Sequence, residues 1–111
     1  SEGATITDLA AALAAPALIV TAAGLGTLNH TALTLEALAE REVRMAGLVI
    51  GSWPRDPGLA ERENLADLET LAGAPLAGLL PEGSGSLPVR EFRAVSRDGL
   101  APALGGEGPS R

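Results

Sequence analysis

Three short segments of the sequence combine glycine with polar residues at positions where the backbone could approach a ligand closely. They are residues 24–31 (Gly-Leu-Gly-Thr-Leu-Asn-His-Thr), 51–54 (Gly-Ser-Trp-Pro) and 81–86 (Pro-Glu-Gly-Ser-Gly-Ser). Each follows an apolar run that is typical of a buried strand. In open α/β sheets, ligands bind in loops at the carboxyl ends of the strands. We therefore expect these three segments to carry the chemistry of the chain.

The first segment is predicted to lead into a helix. Thr27, Leu28 and Asn29 would then present unpaired backbone N–H groups, and the helix dipole would favour a bound anion there. A simpler interpretation is a strand-to-helix turn in which Asn29 caps the helix. The neighbouring His30 is, in such a position, more often a neutral hydrogen-bonding residue than a base. The local pattern leaves both interpretations open.

The other two segments also have purely structural interpretations. Residues 51–54 must form a loop, and it could be only a turn in which Trp53 covers the end of the sheet. Residues 81–86 are rich in Gly and Ser, a composition more typical of a mobile connection than of a binding site. The local sequence does not decide between these interpretations and a ligand-binding role.

The residue types that are absent exclude several kinds of chemistry. All eight basic residues are Arg, so the chain contains no Lys. A Walker-type phosphate-binding loop needs a lysine to reach the β- and γ-phosphates, and Schiff-base chemistry needs one as well. The absence of Cys excludes a disulfide framework, a zinc ribbon and a thiol nucleophile.

Charge and composition narrow the class of protein further. The net charge of −6 argues against nucleic-acid binding, which requires a basic face. No apolar run reaches the ~20 residues of a membrane span, and the first residues have no signal-peptide character, so we expect a cytoplasmic protein that contacts no membrane. Only 2% of the residues are aromatic, so the core must be built from Ala, Leu, Val and Ile.

Helices and buried strands are predicted to alternate along the chain. Continuous apolar runs bounded by Pro and Gly indicate strands buried on both faces. Gly73 is predicted to end the third helix, in which Leu59, Leu65, Leu68 and Leu71 are expected to point inward. The predicted strands are 17–22, 45–50 and 75–80, and the predicted helices are about 8–14, 29–41, 58–71 and 88–97.

This alternation predicts an α/β fold built on a parallel sheet with right-handed crossovers. Three strands make a thin sheet, and its outer strands would have exposed apolar edges. Neighbouring strands are therefore expected to be missing from the chain. We predict one domain over residues 1–100, followed by a Gly/Pro-rich disordered tail at 101–111.

Four stretches of the chain together resemble the dethiobiotin synthetase family. The most specific of them is Gly-Leu-Gly-Thr-Leu-Asn-His-Thr-Ala-Leu-Thr at 24–34, followed by a second strand and a Pro-containing loop. The others are Thr-Ile-Thr-Asp-Leu at 5–9, Ala-Gly-Leu-Val-Ile-Gly-Ser-Trp-Pro at 46–54 and Pro-Leu-Ala-Gly-Leu-Leu-Pro at 75–81. The resemblance extends over about residues 5–87.

The resemblance implies the C-terminal half of a doubly wound, parallel-sheet P-loop NTPase-like domain that works as a homodimer. It also implies an ATP-dependent ligase of biotin biosynthesis. In that reaction 7,8-diaminononanoate takes up CO2 as a carbamate and ATP phosphorylates the carbamate. The second amine then closes the ureido ring with loss of phosphate. ATP, or another nucleoside triphosphate, and Mg²⁺ are the implied cofactors.

Binding residues are carried over from the family one position at a time. The residues implied to hold the substrate carboxylate, reaching across the dimer interface, are Gly26, Thr27, Leu28 and Asn29. The residues implied to flank the nucleotide base are Gly51, Ser52, Pro81, Glu82 and Gly83. No catalytic residue and no metal ligand is carried over to this segment.

The chain departs from the family pattern in two respects. The phosphate loop, the substrate-side lysine and the magnesium carboxylates of the family are expected to precede this sequence, so we expect a partial chain that is inactive alone. The run Glu2-Gly3-Ala4 superficially resembles the start of the family's magnesium loop, Glu-Gly-Ala-Gly-Gly, but Thr5 follows in place of the two glycines and no strand precedes it. Gly51 stands where family members can carry Asn, which puts nucleotide selectivity in doubt.

Two alternatives remain at this point. The chain could be a dethiobiotin-synthetase-like domain attached to another enzyme, such as a phosphate acetyltransferase. The helix start at Asn29 and His30 and the loop at Trp53 and Pro54 argue against that alternative. The chain could instead be a non-catalytic module that dimerises through the helix following Asn29, which the missing lysine supports for this polypeptide taken alone.

Overall fold

Three apolar runs form the strands of one parallel sheet, and helices connect them. The computed structural model describes residues 9, 11–24 and 26–108. The strands are β1 (Ala17–Thr21), β2 (Met45–Trp53) and β3 (Gly78–Pro81). The helices are α1 (Thr27–Glu40), α2 (Leu59–Ala72) and α3 (Val89–Gly99), with short 3₁₀ turns at Ser84–Ser86 and Pro102–Leu104.

The sheet has the order β1-β2-β3, and both neighbouring pairs are parallel. Ile19 of β1 lies opposite Leu48 of β2, and Ile50 of β2 lies opposite Leu79 of β3. Helices α1 and α2 make the crossovers between consecutive strands. The predicted fold class, α/β with a parallel sheet, is confirmed.

One face of the sheet carries the hydrophobic core. Leu48 and Ile50 of the central strand and Leu68 of α2 are fully buried there. As the composition requires, the buried hydrophobic residues of the cluster are all aliphatic: Ile19, Ala23, Leu38, Val43, Leu48, Ile50, Leu68 and Leu76.

The opposite face of β1 is open, although the sequence predicted a strand buried on both faces. Side chains alternate along a strand, so Leu18 and Val20 point away from the core that buries Ile19. Leu18 is 46% exposed and Val20 is 64% exposed. Helix α3 packs against β3, which is the strand at the opposite edge of the sheet from β1. It therefore leaves Leu18 and Val20 uncovered.

Residues 51–53 belong to a strand, which corrects the predicted loop. Strand β2 continues to Trp53, which pairs with Pro81 of β3. The backbone N–H of Glu82 donates to the carbonyl oxygen of Trp53 at 2.8 Å. Pairing with β3 therefore extends the strand through Gly and Ser, whose local signals favour a turn.

The helix boundaries required one correction at α1. The helix begins at Thr27, and the residue at its N-cap is Gly26 in the left-handed conformation (φ 84°), so Asn29 is not the cap. The predicted stop at Gly73 is confirmed, with φ 71° at the C-cap of α2. Within α2, the prediction of an inward Leu59 is wrong, because that side chain is 73% exposed. Leu71 is also exposed, at 40%.

Residues 101–108 fold back onto the start of β3 and the end of α3, in contrast to the predicted disordered tail. The N–H of Ala101 donates to the carbonyl of Ala77 at 2.7 Å, and the N–H of Glu107 donates to the carbonyl of Arg97 at 2.7 Å. Backbone hydrogen bonds of this kind do not depend on apolar side chains, which is why the Gly/Pro-rich composition was misleading. Residues 109–111 lie outside the described residues.

At the other end of the chain, residues 9 and 11–13 are helical, in agreement with the predicted helix at 8–14. The predicted caps of this helix at Thr5 or Thr7, and Glu2, lie outside the described residues. No helix within 9, 11–24 and 26–108 has both the length and the apolar character needed to cross a membrane.

Candidate functional site

The start of α1 places four predicted carboxylate-binding residues at the carboxyl end of β1. A short connection from β1 reaches Gly26, whose positive φ turns the chain into the helix. The Thr27 side chain is buried, with 5% exposure, and Leu28 is partly buried against the core. Gly26 and Asn29 are exposed, as is His30. The structure therefore brings the four predicted residues together at one helix end.

The amides in the first turn of α1 have no acceptor inside the helix. The N–H of Thr27 faces the carbonyl of Gly24 at 3.4 Å, and that of His30 donates to the carbonyl of Gly26 at 3.1 Å. The residues four positions before Leu28 and Asn29 precede the helix as well, so no helical carbonyl accepts from their N–H groups. These two amides are the candidates in the first turn for binding an anion.

A row of three threonine hydroxyls joins β1 to α1 beneath these amides. The Thr27 hydroxyl donates to the carbonyl of Ala22 at 2.7 Å. It also lies 2.5 Å from the hydroxyl of Thr21, which in turn lies 3.1 Å from the hydroxyl of Thr31. Thr31 is only 2% exposed. The side chain of Thr27 is thus engaged within the protein, so any contact of Thr27 with a ligand must come from its backbone.

Asn64 of α2 also contacts the connection between β1 and α1. Its side-chain nitrogen Nδ2 donates to the carbonyl of Ala23 at 3.0 Å and lies 3.3 Å from the carbonyl of Gly24. Asn64 is the only residue of α2 in these contacts, and it lies 41 positions from Ala23 in the sequence. The connection before α1 is therefore fixed by both the strand that precedes it and a helix that is distant in sequence.

The five predicted base-contacting residues lie at the ends of β2 and β3, at the same edge of the sheet. Trp53 and Pro81 are paired, and the carboxylate Oε1 of Glu82 accepts from the backbone N–H of Arg55 at 3.0 Å. The hydroxyl of Ser84 is buried and donates to the carbonyl of Pro81. The segment predicted to be a mobile connection is therefore hydrogen-bonded to the end of β2 and within itself.

The geometry of this second cluster leaves mostly backbone groups for a ligand. Gly51 is half-buried, whereas Ser52, Glu82 and Gly83 are exposed. One oxygen of the Glu82 carboxylate accepts a hydrogen bond from Arg55, while Gly51, Pro81 and Gly83 offer a planar base only backbone polar groups. A cavity of about 220 Å³ adjoins them, lined by Trp53, Leu79, Pro81, Val95, Asp98 and Gly99.

The two clusters are related through the sheet register. Thr21, at the end of β1, lies opposite Ile50, the residue before Gly51. The carboxyl ends of the parallel strands thus place the α1 amides and the β2–β3 cluster along one edge. Among residues 9, 11–24 and 26–108, no three His, Cys, Asp or Glu side chains lie together so that they could hold a metal ion.

Thr21, Thr31 and Asn64 were not identified by sequence reasoning. The sequence offers only one weak signal for each of the two threonines. Thr21 is a polar residue at the end of an apolar run, and Thr31 lies one helical turn after Thr27. For Asn64 the sequence carries no signal, because its partners belong to a loop far from it along the chain.

Comparison with known proteins agrees with this architecture. A family model described as an AAA domain matches residues 1–88. The chain is 64% identical, over 104 residues, to an ATP-dependent dethiobiotin synthetase of Frankia casuarinae. Over 91 residues it is 64% identical to the enzyme of that name from Rhodococcus erythropolis, and over 106 residues it is 54% identical to the one from Streptomyces coelicolor.

The matched regions cover most of this chain but less than half of each relative. They include 94%, 82% and 96% of the chain and 44%, 40% and 44% of the three relatives, in the same order. The predicted resemblance to dethiobiotin synthetases is confirmed at this level.

Proposed function

This chain belongs to the AAA domain family, and we propose that it forms part of an ATP-dependent dethiobiotin synthetase. The observation that carries the proposal is the start of α1. There the Gly-Leu-Gly-Thr-Leu-Asn-His motif becomes a helix end with two amides that lack helical partners, at the carboxyl edge of a parallel sheet. An anionic substrate group fits this position.

The anionic group that we propose is the carboxylate of 7,8-diaminononanoate. The N–H groups of Leu28 and Asn29 donate to the carboxylate oxygens, and the positive φ of Gly26 orients the turn that presents them. The buried hydroxyl of Thr27 helps to hold the turn in place, because it donates to the carbonyl of Ala22. The helix dipole adds a favourable interaction with the negative charge.

The nucleotide base is proposed to contact Gly51, Ser52, Pro81, Glu82 and Gly83. The Oε1 atom of Glu82 accepts from the backbone N–H of Arg55, which leaves its other carboxylate oxygen and its backbone groups for the base. The apolar face of the base ring is proposed to pack against Trp53 and Pro81 at the ends of β2 and β3. Backbone donors and acceptors suit more than one base, which supports acceptance of ATP and of other nucleoside triphosphates.

In the proposed reaction, one amine of the diamine adds to CO2 and loses a proton to give a carbamate. A carbamate oxygen then attacks the γ-phosphorus of ATP and releases ADP. The second amine attacks the carbamoyl carbon, the ureido ring closes, and phosphate leaves. This chain holds and orients the two substrates at their far ends, the carboxylate and the base.

We propose that the triphosphate and Mg²⁺ are held by residues outside this chain. The chain has no lysine for the phosphates, and its described residues offer no cluster of metal ligands. The open face of β1, with Leu18 and Val20 exposed, supports a larger domain in which a further helix covers that face.

We also propose that the ligase is a homodimer with α1 at the interface. Leu33 lies on α1 and is 55% exposed, a large apolar side chain in the helix that begins at the carboxylate site. A two-fold interface through α1 would bring a second protomer to that site. Analytical ultracentrifugation of the complete ligase tests this arrangement: Leu33→Asp should convert a dimer to monomers, and a monomeric unmodified ligase would contradict it.

The test of the function itself is a chimera. The part of the Frankia casuarinae protein that this chain does not match would be fused before residue 1, and dethiobiotin formation from 7,8-diaminononanoate, bicarbonate and ATP would be measured. We expect product from the chimera and none from the 111-residue chain alone.

A second chimera, in which the phosphate-loop lysine is replaced by alanine, is the control for residual activity from other sources. A chimera that unfolds cooperatively and binds ATP but forms no dethiobiotin would contradict the proposed function and favour the non-catalytic module. Product above background from the isolated chain would contradict the assignment of the phosphate site to another segment.

A further inference from the structure

We propose that Asn64 and Thr21 are positioning residues for the carboxylate site. They keep three successive carbonyl groups, those of residues 22–24, turned away from the site so that the α1 amides face it. This inference rests on the proposed function, since it concerns how the carboxylate-binding amides are oriented.

The three carbonyls are all occupied by donors from within the protein. Ala22 accepts from the Thr27 hydroxyl at 2.7 Å, and Ala23 accepts from Asn64 Nδ2 at 3.0 Å. The carbonyl of Gly24 lies 3.3 Å from Asn64 Nδ2 and 3.4 Å from the N–H of Thr27. A side-chain amide has two N–H donors, so Asn64 can serve both Ala23 and Gly24.

The direction of the threonine hydrogen bonds follows from the number of protons. Each hydroxyl has one proton, and that of Thr27 is used on Ala22. The short contact between Thr27 and Thr21 therefore requires Thr21 to donate, and the contact between Thr21 and Thr31 requires Thr31 to donate. Thr21 is thus the group that fixes the orientation of the Thr27 hydroxyl, which in turn holds Ala22.

Donors from outside the connection matter because little within it holds these carbonyls. Among the described residues, the backbone offers them only the long contact from the N–H of Thr27 to the carbonyl of Gly24, at 3.4 Å. Rotation of a peptide unit exchanges its N–H and C=O groups, and glycine permits this at low cost. A carbonyl oxygen turned toward the site would repel a carboxylate at the place where an amide should donate.

Two substitutions remove the donors while preserving size. Asn64→Leu removes both amide donors, and Thr21→Val removes the hydroxyl that orients Thr27. Thr21→Ser restores the hydroxyl and is the conservative variant that should rescue. The matched controls are Thr70→Val on α2 and Thr34→Val on α1, because each of these hydroxyls bonds only within its own helix, to Ala66 and to His30 respectively.

The experiment compares two probes that differ only in the carboxylate. The affinity of the chimeric ligase described above for 7,8-diaminononanoate and for its carboxamide would be measured by isothermal titration calorimetry, and the ratio of the two affinities taken. We expect the unmodified chimera to prefer the acid. Asn64→Leu and Thr21→Val should reduce that preference by about tenfold, the scale of one hydrogen bond to a charged group. A merely structural role would lower the melting temperature of the chimera and leave the ratio unchanged.

The outcomes separate the inference from the function that it rests on. Loss of the preference in both variants, with the preference kept in Thr21→Ser and in the two controls, supports the assignment. An unmodified chimera that prefers the acid, together with variants that prefer it equally, overturns the positioning role alone. An unmodified chimera with no preference for the acid overturns the carboxylate site, and the positioning role with it.

Discussion

The backbone of Gly51 lies directly beside the side chain of Val20, so that a Cβ at residue 51 would come within 2.9 Å of Val20 Cγ1. The two residues belong to neighbouring strands, and Val20 is on the open face of β1. A side chain at residue 51 therefore requires Val20 to move. Since Val20 is 64% exposed, it has room to do so.

The first prediction concerns base choice at Gly51. A side-chain amide at this position would penalise a base that leaves it unpaired, whereas glycine offers only backbone groups. We expect the complete ligase to accept pyrimidine as well as purine triphosphates, and Gly51→Asn to shift its preference toward ATP by up to about 1–3 kcal/mol. Affinities for ATP, GTP and CTP before and after the substitution measure the shift.

The contact with Val20 supplies the control for this measurement. Val20→Ala makes space for the new side chain, so the double variant should retain the shift in base preference and recover stability that Gly51→Asn loses. Val20→Ala alone should leave the base preference unchanged. Strong rejection of CTP by the unmodified ligase would place base selectivity elsewhere, most directly in residues 81–86.

A second prediction concerns Asn29. Because Gly26 and not Asn29 is the N-cap of α1, Asn29→Ala should change the free energy of unfolding by no more than about 0.5 kcal/mol. Its exposed side-chain amide lies at the proposed carboxylate site, so diamine binding should weaken while nucleotide affinity stays nearly constant. Isothermal titration calorimetry with the diamine and with the nucleotide measures the two affinities separately. An equal loss of both affinities would indicate simple destabilisation and contradict the role in carboxylate binding.

The third prediction concerns the core contribution of α2. Leu68 is fully buried, so Leu68→Ala should lower the free energy of unfolding by about 2–5 kcal/mol. Leu59 lies on the same helix but is 73% exposed, and Leu59→Ala should change it by less than about 0.5 kcal/mol. Urea denaturation of the two variants measures both changes. Similar losses of unfolding free energy in both would contradict the orientation of α2 in which Leu68 faces the core and Leu59 faces solvent.

The fourth prediction concerns the turn after β3. Ser84→Ala removes the buried hydroxyl that donates to the carbonyl of Pro81, and it should destabilise the chain by about 1–2 kcal/mol. Ser86 lies in the same turn and is exposed, so Ser86→Ala serves as the control. Amide hydrogen exchange at Glu82 and Gly83 should accelerate in Ser84→Ala only. Unchanged exchange there would show that pairing of Pro81 with Trp53 is sufficient to hold the segment.

The sequence determined much of the architecture by itself. Aliphatic runs that alternate with amphipathic stretches specify parallel strands and crossover helices, and glycine at residue 73 ends α2 because it adopts a left-handed conformation at little cost. The motif at 24–34 located the start of α1 to within two residues. These features depend on periodicity and on local backbone preference, both of which can be read from neighbouring residues.

Tertiary structure decided the features that depend on partners distant along the chain. Residues 51–53 are strand because Ile50 and Trp53 on either side of the register shift pair with β3. Residues 101–108 fold back because the carbonyls of Ala77, Arg97 and Leu100 accept their N–H groups. Asn64 reaches the loop before α1 only through the packing of α2 against α1. Hydrogen bonds across tens of residues form when the fold brings donor and acceptor together, and no local pattern in the sequence encodes that meeting.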